Sequence, residues 1–224
     1  MKLIVANWKS NKTTPEAKEW LQEIFNFQFS IFNLKIILAA SFIHLPILKE
    51  SITPKSNISL AAQNVSPFPS GPYTGEVSAE MLTGLVDYVI LGHSERRRYF
   101  RETNEMVAKK AKQVLEYKIS PIICLDEPYI ESQIATLTNC CVEESIFAYE
   151  PLLAIGSGKP DNPERVNKIS KRIKKLTNNA PVLYGGSVNA KNAKKIIQEN
   201  YIDGLLVGNA SLNPKEFTKI VRSA

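Results

Sequence analysis

The chain has 224 residues, short enough for a single core, and 44% hydrophobic with 22% charged residues is the balance of a soluble globular protein rather than a disordered one. No apolar stretch approaches the ~20 residues of a membrane span, and the apolar start at 3–6 is interrupted by Asn7, Lys9 and Asn11, so a cytoplasmic chain without membrane contact is expected. The net charge of +6 invites a nucleic-acid partner, but Lys109, Lys110, Lys112, Lys168, Lys171, Arg172, Lys174, Lys175, Lys191, Lys194 and Lys195 alternate with apolar residues at helical period, the pattern of solvated outer faces.

Eight short runs rich in Ile, Val and Leu follow one another at 3–6, 36–40, 58–62, 88–91, 121–125, 145–149, 182–184 and 204–207. Lacking strict polar alternation, they read as parallel strands covered on both faces. Between them, segments 15–25, 104–117, 163–177, 189–199 and 214–221 carry apolar residues three and four apart, which predicts crossover helices. Thr14 before Pro15 and Asn213 before Pro214 supply helix-start chemistry. This order predicts a single-domain α/β fold, a (β/α)8 barrel, over residues 1–224, with a doubly wound open sheet as the alternative. The stretch between Glu127 and Ala148 leaves the fifth unit shortened. Three cysteines, two of them adjacent, argue against a disulfide framework.

In a barrel, chemistry gathers at the carboxyl ends of the strands. Those ends carry Asn7, Trp8 and Lys9 after strand one, Gln63 and Asn64 after three, Gly92, His93, Ser94 and Glu95 after four, and Glu150 after six. Strand seven ends in Gly185, Gly186 and Ser187, and strand eight in Gly208, Asn209 and Ala210. Small residues in turns let backbone N–H groups approach a phosphate, although Gly-Gly-Ser also makes ordinary turns. The loop 151–160, apolar in the centre with Gly156 and Gly158, reads either as a lid closing Ile155 over a ligand or as a loop packed on the helix layer. His93 is either a core histidine or a donor to a substrate oxygen; Lys9 and Glu150 likewise admit structural readings, and His44 is read as structural. No cluster of His, Cys and carboxylate residues has metal-site spacing, so no metal is expected.

The strings Ala6-Asn7-Trp8-Lys9, Ala62-Gln63-Asn64, Tyr73-Thr74-Gly75-Glu76, Gly92-His93-Ser94-Glu95-Arg96-Arg97, Ala148-Tyr149-Glu150-Pro151, Ala154-Ile155-Gly156-Ser157-Gly158-Lys159, Tyr184-Gly185-Gly186-Ser187-Val188 and Leu206-Val207-Gly208 occur in that order. Together they resemble the triosephosphate isomerase family. The resemblance implies interconversion of glyceraldehyde 3-phosphate and dihydroxyacetone phosphate through an enediolate, without a cofactor. It implies that Glu150 is the base, that His93 and Lys9 stabilise the oxyanion, and that Glu95 holds Lys9 or assists proton traffic. Asn7 would position substrate, and the N–H groups of Gly156, Ser187, Gly208 and Asn209 would hold the phosphate. Closing Ile155 and Leu206 over Glu150 would strip water from its carboxylate and strengthen it as a base.

The resemblance further implies a homodimer in which the loop at Thr74, Gly75 and Glu76 enters the neighbouring subunit. Its four flanking stiff or apolar residues, Pro67, Phe68, Pro69 and Pro72, suit insertion. The chain departs from the family pattern with Leu153 for a lid Trp, Asn209 for a phosphate glycine, and Asp126 for the glycine after the strand-five Cys. A barrel with an aldol or decarboxylating reaction, and an inert or polyanion-binding basic protein, are the competing functions. No aromatic residues interleave the basic runs as nucleic-acid binding would require.

Overall fold

The strands form where β-branched and aliphatic residues cluster without room for polar alternation, because both faces are to be covered. They are β1 (Lys2–Asn7), β2 (Leu34–Ala40), β3 (Ile58–Ala62), β4 (Tyr88–Leu91), β5 (Ser120–Leu125), β6 (Ile146–Tyr149), β7 (Val182–Tyr184) and β8 (Gly204–Val207). The computed structural model describes residues 1–27, 33–53, 56–151 and 160–224, apart from the side chains of Asn139 and Cys140. Each strand pairs in parallel with the next, and β1 closes on β8 with Leu3 opposite Gly204 and Ala6 opposite Val207. Closure excludes the open doubly wound sheet, which would leave two strands unpaired on one side.

Alternation along the strands divides the core in two. One set, including Leu3, Val5, Ile37, Ala39, Ala61, Ile90, Ile122, Cys124, Ile146, Ala148, Leu183 and Leu206, fills the barrel interior. The other, including Ile4, Ile36, Leu60, Val89, Ile123, Phe147 and Val182, packs under the helices. Carried one step beyond the last interior residue of six strands, the same parity sends Asn7, Gln63, Asp126, Glu150, Gly185 and Gly208 to the mouth of the barrel. The fold therefore delivers polar residues to one rim by counting alone.

The helices are α1 (Thr14–Asn26), α2 (Leu45–Ser51), α3 (Ala79–Leu82), α4 (Ser94–Phe100), α5 (Asn104–Glu116), α6 (Ile130–Ala135), α7 (Asn139–Glu143), α8 (Pro163–Leu176), α9 (Ala193–Ile197) and α10 (Pro214–Val221). Thr13, one residue earlier than the sequence predicts, caps α1; its N–H donates to Glu16 at 2.7 Å. Asn213 caps α10 by accepting from the N–H groups of Lys215 and Glu216 at 3.0 and 3.1 Å. The helix expected at 189–199 shrinks to α9 because Asn192 Oδ1 accepts the Asn189 N–H at 3.0 Å, tying the first residues into a turn. The shortened fifth unit crosses over with two short helices, α6 and α7.

Of the basic residues read as solvated helix faces, all but one lie on outer faces, and that one corrects the sequence reading. Lys110 of α5 is buried and paired with Glu102, so it belongs to the interior network and not to a solvated face. His44 is buried edge-on to Trp8 with ring centroids 6.3 Å apart, a structural residue as expected. Neither Cys124 nor Cys141 is in a disulfide. Among the described residues no helix is long and apolar enough to cross a membrane.

Candidate active site

A cavity of about 280 Å³ opens at the carboxyl ends of the strands, bounded by Asn7, Lys9, His93, Glu150, Ser187, Leu206, Gly208 and Asn209 among others. The residues expected to carry the chemistry thus meet in one place, though they come from five strands.

Glu150 follows β6 on the interior row and is 2% exposed. Its Oε2 accepts the Ser94 N–H at 2.9 Å, and its Oε1 lies 3.1 Å from His93 Nε2. His93 ends the β4 turn and precedes α4; its Nδ1 accepts the Glu95 N–H at 3.2 Å. A ring nitrogen that accepts a backbone N–H carries no proton, so the proton resides on Nε2, which faces Glu150 and the cavity. The ring is oriented by chain geometry before any ligand arrives.

Gly92 makes this orientation available. It has φ of +66°, and a Cβ there would stand 2.7 Å from Arg97 Nη2 and 3.0 Å from Val107 Cγ2. Its N–H donates to Glu102 Oε2 at 3.0 Å, and its carbonyl accepts Arg97 Nε at 2.8 Å. Glu102 also accepts Arg96 Nε at 3.1 Å and pairs with Lys110 Nζ, which in turn donates to Asn64 Oδ1 at 2.7 Å. Burial alone would push Glu102 up, yet Lys110 and Arg96 hold its carboxyl below the usual range.

Lys9 has φ of 55°, an uncommon backbone for a non-glycine residue, and local bonds hold it there. Asn7 Oδ1 accepts the Lys9 N–H at 3.0 Å, and Gln63 Nε2 donates to the Lys9 carbonyl and to the Ala39 carbonyl, both at 3.0 Å. The ammonium pairs with Glu95 Oε1 beside the cavity. Asn7 is therefore placed first as a backbone clamp on Lys9, in addition to lining the cavity.

On the opposite wall, a Cβ at Gly185 would stand 3.2 Å from Glu150 Cγ and 3.4 Å from Leu206 Cδ2, so the missing side chain leaves room for the Glu150 side chain beside Leu206. Ser187 adopts φ of 47°, and its carbonyl accepts Asn192 Nδ2 at 3.0 Å. Asn209 opens a 3₁₀ turn, Asn209–Ser211, whose residue Ser211 donates both N–H and Oγ to the Gly208 carbonyl at 2.8 and 2.7 Å. Asn209 does not take a positive φ, so its fit there owes nothing to asparagine's tolerance of unusual angles; on this wall Ser187 does, as Lys9 does across the cavity.

The three residues expected to form a dimer loop lie apart from this cavity. Thr74, Gly75 and Glu76 are exposed on a projecting loop, where Phe68 and Tyr73 stack with centroids 4.5 Å apart. Ile155, Gly156 and Leu153 lie outside the described residues. Sequence reasoning missed the Ser94 N–H as a partner of Glu150, Gly185 as its recess, and Val188 and Asn189 as lining. Parity along β7 could have found Gly185. The Ser94 contact depends on how α4 starts, which no spacing rule specifies.

A closed parallel barrel with a carboxylate, an oriented imidazole and an ammonium beside turns rich in small residues defines a phosphate-handling acid–base barrel. The family model described as triosephosphate isomerase matches residues 2–224. Curated triosephosphate isomerases resemble the chain throughout: 40% identity to that of Mesomycoplasma hyopneumoniae strain 232, covering 98% of both chains. Identity is 39% to that of Amoebophilus asiaticus, covering 99% of this chain and 98% of the relative, and 38% to that of Clostridium beijerinckii, covering 98% of each. The chain belongs to the triosephosphate isomerase family. It is an isomerase that interconverts D-glyceraldehyde 3-phosphate and dihydroxyacetone phosphate.

Proposed function

We propose that in this isomerase Glu150 moves the proton between the two carbons while His93 and Lys9 stabilise the enediolate oxygens. The observation that carries this reading is the meeting of all three at one small cavity beside the Ser187 and Gly208–Asn209 turns. A proton next to a carbonyl is weakly acidic, so the site must strengthen the base and stabilise the oxyanion. His93 Nε2–H and the Lys9 ammonium are donors held before substrate binds, the first by the Glu95 N–H and the second by the Glu95 carboxylate, with Asn7 and Gln63 fixing the Lys9 backbone. In the structure Glu150 rests on Ser94 and His93, so it must turn from them toward the substrate carbon, freeing the His93 proton for the substrate oxygen. Glu95 holds Lys9, and the N–H groups of Ser187, Gly208 and Asn209 hold the phosphate.

Glu150→Gln keeps the shape and the Ser94 contact but removes the base. Turnover in a coupled assay with glyceraldehyde 3-phosphate is expected to fall by about 10²–10⁴-fold. Near-native turnover in that variant refutes the assignment.

The reading extends to assembly: a single-domain chain working as a cytoplasmic homodimer. A second cavity of about 300 Å³ shares Asn7, Lys9 and His93 with the first and opens beside Glu95 and Phe100, whose ring is 66% exposed. The stacked Phe68–Tyr73 loop carrying Thr74, Gly75 and Glu76 is stiff, projecting and partly apolar, which suits it to enter this cavity of a second copy. Light scattering is expected to give twice the chain mass, and an active monomer overturns the dimer.

A further inference from the structure

Asn7, Asn189 and Asn209 all line the catalytic cavity. Two of these side chains are committed to neighbouring backbone: Asn7 Oδ1 accepts the Lys9 N–H at 3.0 Å, and Asn189 Oδ1 accepts the Lys191 N–H at 2.9 Å. The carboxamide of Asn209 has no hydrogen-bond partner among the described residues. It stands where the family resemblance expects a glycine, a residue that could offer a ligand only its N–H.

An exposed amide is ordinarily left to water, so lack of a partner alone assigns it nothing; its place does. Asn209 is the first residue of the turn Asn209–Ser211, which is pinned where Ser211 donates N–H and Oγ to the Gly208 carbonyl. In a right-handed helical turn the Cα–Cβ bonds tilt toward the N-terminal end, which directs the Asn209 side chain back toward Gly208 and the cavity both residues line. Gly208 puts no side chain in the way, and a Cβ there would meet Lys9 Cε at 3.3 Å and Nζ at 3.8 Å. The Lys9 ammonium therefore lies beside the same turn, so an anion seated there meets a positive charge as well as donors.

We propose that Asn209 contacts the substrate through its side chain: Nδ2 donates to the phosphate, a donor that a glycine in its place would lack. This inference rests on the reading in which Ser187, Gly208 and Asn209 hold the phosphate, and it extends that reading from backbone donors to one named side chain. The carboxamide is neutral, so it adds direction to the seat and leaves its charge to Lys9. One hydrogen bond to a charged group corresponds to about tenfold in affinity. The phosphate takes no part in the proton transfer, and a contact made alike in ground state and transition state appears in KM more than in kcat.

Two measurements test the contact and separate it from the seat. In the first, inorganic phosphate is titrated at constant ionic strength into the full isotope-labelled chain, and amide signals are followed by NMR. The Asn209 side-chain pair is assigned by its loss in Asn209→Ala. It is expected to shift and saturate together with the backbone N–H signals of Ser187 and Gly208. Read on those backbone signals, phosphate binding to Asn209→Ala is expected to weaken by about tenfold. In the second, KM for glyceraldehyde 3-phosphate is expected to rise by about tenfold in Asn209→Ala and Asn209→Gly, and further in Asn209→Asp, which keeps the shape and turns a carboxylate on the phosphate. Backbone signals that shift while the Asn209 pair stays still overturn the proposal and leave the seat standing. So does an Ala form that binds phosphate, or a KM in Ala and Gly forms, as in the native chain. Backbone signals that ignore phosphate overturn the seat and the proposal with it. Because Asn209 is exposed, the Ala form is expected to fold, and the titration of the native pair decides the question even where it does not.

Discussion

Two buried acids flank the turn that presents His93, and they fare oppositely. Glu102, on the outer side, is met by the Gly92 N–H, Arg96 Nε and Lys110 Nζ. Asp126, on the inner side, has one oxygen unpaired and a guanidinium only at 4.0 Å. Both are about 95% buried, yet Glu102 is held below the usual carboxylate range and Asp126 is pushed up to about 6. Burial therefore does not decide the charge of an interior acid; the donors and charges around it do. The outer acid fixes backbone, whereas the inner one stands where the charge of Glu150 is felt and few donors answer it.

The strongest way to break this contrast is to remove Glu102. Glu102→Ala leaves Lys110 and Arg96 without their common partner and the Gly92 N–H without an acceptor. Loss of one member of such a buried set costs about 3–5 kcal/mol, equivalent to a fall in Tm on the order of 10 °C. The sign with pH follows from the direction of the shift. Because the folded carboxyl is held low, its contribution is full above the ordinary value of about 4.3 and disappears as pH falls through the lower folded value. Calorimetry at pH 8 should show the large loss, with the native and variant curves converging in acid. A loss below about 1 kcal/mol at pH 8 would mean that the outer acid is as poorly served as the inner one.

The inner acid should respond in the other direction. Asp126 titrates at about 6 in the fold instead of 3.8, so its protonated form is the one the fold favours. The cost of ionising it is absent below 3.8, grows between 3.8 and about 6, and is complete above. Asp126→Asn removes that cost, and urea unfolding at pH 8 is expected to show a gain of up to about 3 kcal/mol. Near pH 4 the two proteins should coincide. A gain that is the same at both pH values would trace to packing and not to charge.

How far this contrast was legible in the sequence differs between its halves. The strands were legible because both faces of each are buried, and the rim residues followed from their position at strand ends; Asn7, Glu150 and Gly208 also keep the interior parity. Asp126 showed itself as a departure from an expected glycine, but nothing in its neighbours tells that one oxygen is unpaired. Glu102 was invisible: it meets Lys110 across the start of α5 and Gly92 across the turn after β4, contacts made by tertiary packing. For the same reason Lys110 read as one more solvated lysine. The left-handed backbone of Lys9 was also hidden: Asn7 two residues earlier holds its N–H, but the carbonyl is held by Gln63, remote in sequence.

The smallest effect belongs to the solvent-exposed counterpart of these acids. Arg172 of α8 pairs with Glu131 of α6 across the shortened fifth unit, with side chains 51% and 44% exposed. Water solvates both charges in the unfolded chain nearly as well, and salt screens the pair, so Arg172→Ala should change stability by about 0.5 kcal/mol or less. The same opposite charges that are worth several kcal/mol around Glu102 are thus expected to be nearly silent here, because only buried charges lose their alternative partner. Urea unfolding at low and high salt checks this. A loss above about 1 kcal/mol that vanishes in high salt would show that the two short helices α6 and α7, replacing one full crossover, depend on this pair to stay docked on α8.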